Sequence, residues 1–208
     1  MFWDDLAEKI LVMKKAIFIV TILFVAVIST ACINNIAVQE LNNAAKSYMD
    51  KGDYNAAIER LESSLELDGT VYETYYNLGV AYVEAKKYDK AVETLSKAIN
   101  LNSKYADSYY TLGVAQEGLA DSYADVNNNE SVKLTSAEDG VANTSENSYQ
   151  NYSDEVKEKM IEGYLSAITN YRKYSDMSNS AQKTEEINSH IAEMEKVLGK
   201  LGYTGSSY

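Results

Sequence analysis

Residues 75–81 read Tyr-Tyr-Asn-Leu-Gly-Val-Ala, and residues 109–115 read Tyr-Tyr-Thr-Leu-Gly-Val-Ala, at an offset of 34 residues. The same offset pairs Tyr54 with Tyr88, Ala57 with Ala91, Glu59 with Glu93, Leu61 with Leu95 and Leu67 with Leu101. A fixed period of this length marks a repeat array, in which each unit leaves an apolar face that only its neighbour can bury. It constrains function too, because such arrays present extended binding surfaces. Apolar residues recur at helical spacing through 36–118 and 156–201, and proline is absent. The predicted fold is therefore all-α.

The first unit spans 38–71, with Leu41, Ala44, Ala45 and Tyr48 on its first helix. Gly52, Asp53 and Tyr54 make its turn, and Ala57, Leu61 and Ser64 lie on its second helix. The second unit, 72–105, carries Tyr75, Leu78, Gly79 and Tyr82, then Ala91, Leu95 and Ala98. Small residues let helices approach closely, and the large ones fill the space between them. This pattern resembles the tetratricopeptide repeat (TPR), a helix–turn–helix unit of about 34 residues. Tyrosine stands here for the pattern's tryptophan and leucine for its phenylalanine. The resemblance implies an antiparallel helix-hairpin solenoid.

A third unit, 106–176, begins with Tyr109, Leu112 and Gly113. Its second-helix pattern returns only at Ala167, Tyr171 and Tyr174, displaced by an insertion of 42 residues (161 − 119). The predicted helices are 106–125 and 154–175. The stretch about 121–155, rich in Asn, Ser, Asp and Glu, is expected to be a flexible insertion, since it has little apolar surface to bury. Ile187, Ile191, Met194, Leu198 and Leu201 then form one stripe, which predicts a capping helix over 181–201. Residues 202–208 are a tail.

Residues 16–33 carry no charge and follow Lys14 and Lys15. A positive start, an apolar stretch and a small-residue end describe an export signal over 1–31. The end, Ser29-Thr30-Ala31-Cys32, resembles a bacterial lipoprotein signal, which implies lipid attachment at Cys32 and a short tether over 32–37. Asp4, Asp5 and Glu8 dilute the positive start, so translation is expected to begin at Met13. Two alternatives stay open: an uncleaved apolar anchor, since about 20 residues span a bilayer, or ordinary cleavage that releases the chain. Each exports the repeats, and the lipid-anchored reading places them at the cell envelope, facing periplasm or exterior.

The formal charge is −12, and residues 1–31 sum to zero, so the whole excess lies in 32–208. An acidic body repels phosphate backbones, which argues against nucleic acid as a partner. The resemblance puts first-helix residues on a concave groove. By position these are Asn42, Lys46 and Met49; then Glu73, Tyr76, Asn77, Val80 and Glu84; then Asp107, Tyr110, Thr111, Val114 and Glu117. Tyrosine offers large contact area with a polar tip. The expected partner is a protein or peptide with apolar anchors and basic flanks. Asn77 matches one residue of the carboxylate clamp found in some relatives, but Asn42, Lys46, Asp107 and Thr111 do not supply the rest.

Neither a cofactor, a metal nor a catalytic residue is expected. His190 is the sole histidine, and Glu186 and Glu193 beside it read as the exposed polar edge of the cap. The primary expectation is a membrane-tethered scaffold on the outer face of a bacterial membrane. The alternatives are an accessory subunit or enzyme whose site includes the 121–155 insertion, and a self-assembling structural envelope protein.

Overall fold

The computed structural model describes the backbone of residues 2–135, 149 and 152–205, and the side chains of 13–24, 34–124, 149 and 152–205. Seven α-helices follow one another among the described residues: α1 Phe2–Met49, α2 Tyr54–Leu67, α3 Tyr72–Glu84, α4 Tyr88–Leu101, α5 Ala106–Thr135, α6 Asp154–Met177 and α7 Ala181–Lys200. Each packs against its neighbour in the chain, and α3 also packs on α5. This is the expected helix-hairpin solenoid, with α1, α3 and α5 as first helices and α2, α4 and α6 as second helices.

Local sequence accounts for the helix ends. The Asp53 carboxylate accepts a hydrogen bond from the Ala56 N–H at 3.1 Å, so the turn residue caps α2. Ser153 and Ser180 do the same for α6 and α7, accepting from Val156 and Lys183. Gly52 has φ +74°, in the left-handed region that glycine adopts without strain. One repeat later the equivalent residue is Lys86, which takes the same turn at φ +56°.

The repeat period is visible in the packing. A side-chain carbon on Gly79 would collide with Leu95, and one on Gly113 would collide with Tyr171. Gly113 lies one repeat after Gly79, and Tyr171 occupies the place of Leu95 once the insertion is set aside. The same first-to-second-helix contact thus recurs on both sides of the interruption. Two clusters make the core. One joins Ala45, Leu61, Leu78, Leu95 and Ala115 of α1–α5. The other joins Ala120, Met160, Tyr171, Ile191, Met194 and Leu198 of α5–α7. Leu61 and Leu95 are fully buried, each stabilising by about 2 kcal/mol.

One expected element end needs correction. Helix α5 continues to Thr135, into the stretch expected to be loop. It is seated by Ala120, which is buried, and by Tyr123 and Ala124, which pack on the second cluster. The expected tether at 32–37 lies within α1, which runs without a break to Met49. Residues 136–148, 150–151 and 206–208 fall outside the described residues, as does the side chain of Cys32. Along α1, Ile17, Phe18, Leu23 and Phe24 are exposed, and Val38 is the first buried residue described. Among the described residues no helix is long and apolar enough to cross a membrane, the side chains of 25–33 lying outside that description.

Candidate binding groove

A groove of about 570 Å³ opens where α3, α5 and α7 converge. That volume lies within the roughly 300–1,000 Å³ typical of ligand clefts. Helix α3 supplies Tyr76, Val80, Val83 and Glu84, and α5 supplies Asp107, Tyr110, Thr111 and Val114. These side chains share a face because they recur at helical spacing, and the 34-residue period sets Tyr110 beyond Tyr76 and Val114 beyond Val80. Tyr171 and Tyr174 of α6 line the groove from below, and Lys183, Glu186, Ile187 and His190 of α7 form a further wall.

Aromatic contacts hold the two groove tyrosines. The Tyr76 ring stands edge-on to Tyr105, with centroids 4.9 Å apart. Tyr110 lies against Tyr171 and Tyr174 at 5.6 and 5.4 Å, yet 43% of it is exposed. The first pair is edge-on and the other two are tilted, and favourable aromatic pairs each contribute about 0.5–1.5 kcal/mol beyond burial. Burial pushes the Tyr105 hydroxyl up to about 12, with Tyr76 and Asp107 adding to the effect.

Below the groove a polar chain links three helices. Glu117 of α5 accepts the Tyr171 hydroxyl at 2.9 Å, and His190 of α7 lies 2.9 Å from the same carboxylate oxygen. The His190 ring is also edge-on to Tyr171, at 5.5 Å. Burial, then the charge and hydrogen bond of Glu117, push the Tyr171 hydroxyl well above the ordinary phenol range. His190 is therefore half-buried and bonded, not the free polar edge that its helical position implies.

Of the expected groove residues, Tyr76, Val80, Glu84, Asp107, Tyr110, Thr111 and Val114 come together. Lys46, Met49, Glu73, Asn77 and Glu117 do not line the groove. Lys46 and Glu73 are exposed elsewhere, Asn77 is half-buried and Met49 packs on the first core cluster. Asn42 turns away altogether: its amide donates to Val38 O, Ser64 Oγ and Thr74 Oγ1 at 2.8–3.0 Å, tying α1 to α2 and α3. The α7 wall was not legible as groove, because its stripe of isoleucine, methionine and leucine reads only as a cap. Among the described residues no cluster of His, Cys, Asp and Glu could hold a metal ion.

The TPR repeat pattern matches residues 45–86 and 79–119. Residues 45–119 are tetratricopeptide repeats. No curated protein matches the chain. Solved TPR structures share its fold. The first TPR of Spaghetti (RPAP3), solved with the HSP90 peptide SRMEEVD, is 16% identical, with TM-score 0.53 over 78% of this chain and 93% of that one. The first TPR domain of human RPAP3 is 15% identical, with TM-score 0.54 over 81% and 97%. The Arabidopsis OM64 TPR domain is 14% identical, with TM-score 0.52 over 77% and 98%. At such identities the likeness is one of fold, and the helical array continues through α6 and α7 beyond the matched residues.

Proposed function

We propose that this TPR chain is a scaffold that captures a protein segment in the groove between α3, α5 and α7. The observation that carries this reading is the convergence of Tyr76 and Tyr110 with Val80 and Val114 beside Glu84 and Asp107 in one open cavity. The valines and rings accept an apolar side chain, and the carboxylates favour basic residues on either side of it. The Spaghetti TPR was solved with SRMEEVD, a peptide with an acidic end. Glu84, Asp107 and Glu186 disfavour such an end here, so the occupant differs in charge.

A randomised peptide library displayed on phage and selected on the native chain tests the reading. Enriched peptides carry an aliphatic or aromatic residue with Lys or Arg nearby, and the double variant Tyr76→Ala/Tyr110→Ala loses them while keeping its helical content. Undiminished binding by that variant refutes the groove.

The same reading tethers the scaffold to the outer face of a bacterial membrane through a lipid on Cys32. It rests on the charge-free run 16–33 and the small residues before Cys32. Acyl chains add about 0.8 kcal/mol for each methylene buried, enough for stable anchoring when there are several. Cys32→Ser then shifts the protein from the membrane pellet to the soluble fraction; an unchanged distribution favours an uncleaved anchor. No catalytic role is proposed.

A further inference from the structure

Helix α7 places four residues on the groove: Lys183, Glu186, Ile187 and His190. A helix that only sealed the core would need its apolar stripe of Ile187, Ile191, Met194 and Leu198 and nothing more. Here the polar side is engaged as well. His190 bonds to Glu117 of α5, and Glu195 pairs with Arg172 of α6 at 3.0 Å. Directional bonds therefore fix how α7 sits against both helices, in addition to non-directional burial.

That placement decides which side chains face the cavity. Ile187 is 7% exposed and seats the helix, while Lys183 and Glu186 stay exposed at the cavity wall. Across the cavity Glu84 and Asp107 are exposed too. Among the described residues no ion pair joins Glu84, Asp107 or Glu186 to a cation of this chain. The groove thus has apolar surface from Val80, Val114 and Ile187, and one carboxylate from each of three helices, Glu84, Asp107 and Glu186, against the single lysine Lys183 of α7.

We propose that α7 is a specificity-determining wall of this groove, with Glu186 selecting a Lys or Arg in the bound segment. The segment would lie with its apolar side chain among Val80, Val114 and Tyr110, and one cationic residue toward α7. This inference rests on the groove reading above and adds to it which part of the partner meets which helix.

The test compares Glu186→Lys with Glu185→Lys, an equal charge change on an exposed neighbour that does not line the cavity. The probe is a fluorescein-labelled peptide taken from the library selection on the native chain. Glu186→Lys is expected to weaken it about tenfold or more, because like charges then meet at a wall that the bound peptide covers. Glu185→Lys is expected to change it by less than about twofold, as solvated charges do. Reselection on Glu186→Lys replaces one Lys or Arg of the enriched peptides with Asp or Glu. Equal effects of the two variants overturn the role of α7, while the groove reading stands if Tyr76→Ala/Tyr110→Ala still loses the peptide. Retention of the peptide by that double variant overturns both.

Discussion

His190 Nε2 lies 2.9 Å from Glu117 Oε2, the oxygen that also accepts the Tyr171 hydroxyl. One carboxylate therefore gathers donors from α6 and α7 onto α5. Tyr171 is only 2% exposed, so its hydroxyl has little access to water as a substitute partner. Glu117→Ala should cost about 1–3 kcal/mol by leaving a buried donor unmade. In a Tyr171→Phe background the same change should cost at least about 0.5 kcal/mol less, since the donor is gone. Urea unfolding of the four proteins of the cycle measures this. Strict additivity would show that the bond is energetically idle.

Glycine is required at some helix positions and dispensable at others. Gly79 has no room for a side-chain carbon against Leu95, and Gly113 none against Tyr171. Gly79→Ala should destabilise by about 1–3 kcal/mol through overpacking. Gly199 lies in the last turn of α7 with nothing near its missing side chain. Gly199→Ala should stabilise by about 0.5–1 kcal/mol, because alanine loses less backbone freedom in a helix. Thermal unfolding midpoints should move in opposite directions.

The turn between α3 and α4 offers a second backbone test. Lys86 holds φ +56° where the preceding repeat places Gly52. Left-handed backbone costs a residue with a side chain roughly 1–2 kcal/mol. Lys86→Gly should recover up to about 1 kcal/mol after the greater freedom of glycine in the unfolded chain is subtracted. A lowered midpoint would mean that the lysine side chain supplies more than the strain removes.

Asn42 separates a groove role from a packing role. Its amide reaches the buried hydroxyls of Ser64 and Thr74, both at 0% exposure. Asn42→Ala should destabilise by about 1–3 kcal/mol and leave binding of the selected peptide unchanged. Weakened binding at full stability would restore Asn42 to the groove.

Alkaline unfolding should be governed by buried tyrosines. Tyr105 is pushed up to about 12, chiefly by burial. Tyr82, Tyr164 and Tyr171 are pushed above the ordinary phenol range by burial and then by Glu62, Asp121 and Glu117 respectively. The native state keeps these hydroxyls neutral, while the unfolded chain ionises them near pH 10. Their contribution is complete below about pH 10 and is lost as pH rises through the folded values. Denaturation midpoints should therefore decline above about pH 10, with part of the phenolate absorbance appearing only as the helix signal is lost. Full ionisation before any loss of helix would contradict the assignment.

The helical period and the 34-residue echo were enough to state the fold, because both follow from which faces must be buried. Gly79 with Leu95 and Gly113 with Tyr171 make the same contact, and that correspondence can be counted along the chain despite 42 inserted residues. Tyr76, Val80, Tyr110 and Val114 were legible as one surface for the same reason. Asn42 holds the position of Tyr76 one repeat earlier, but periodicity gives a direction and not a partner. A short amide can reach Ser64 and Thr74 across the helix interface, and that contact exists only once α1, α2 and α3 are packed. Likewise the stripe on α7 predicted that it would cover a core. Only the packed array decided that its other side meets Glu117 and the groove, because the seat of a terminal helix depends on surfaces brought together from residues far apart in the chain.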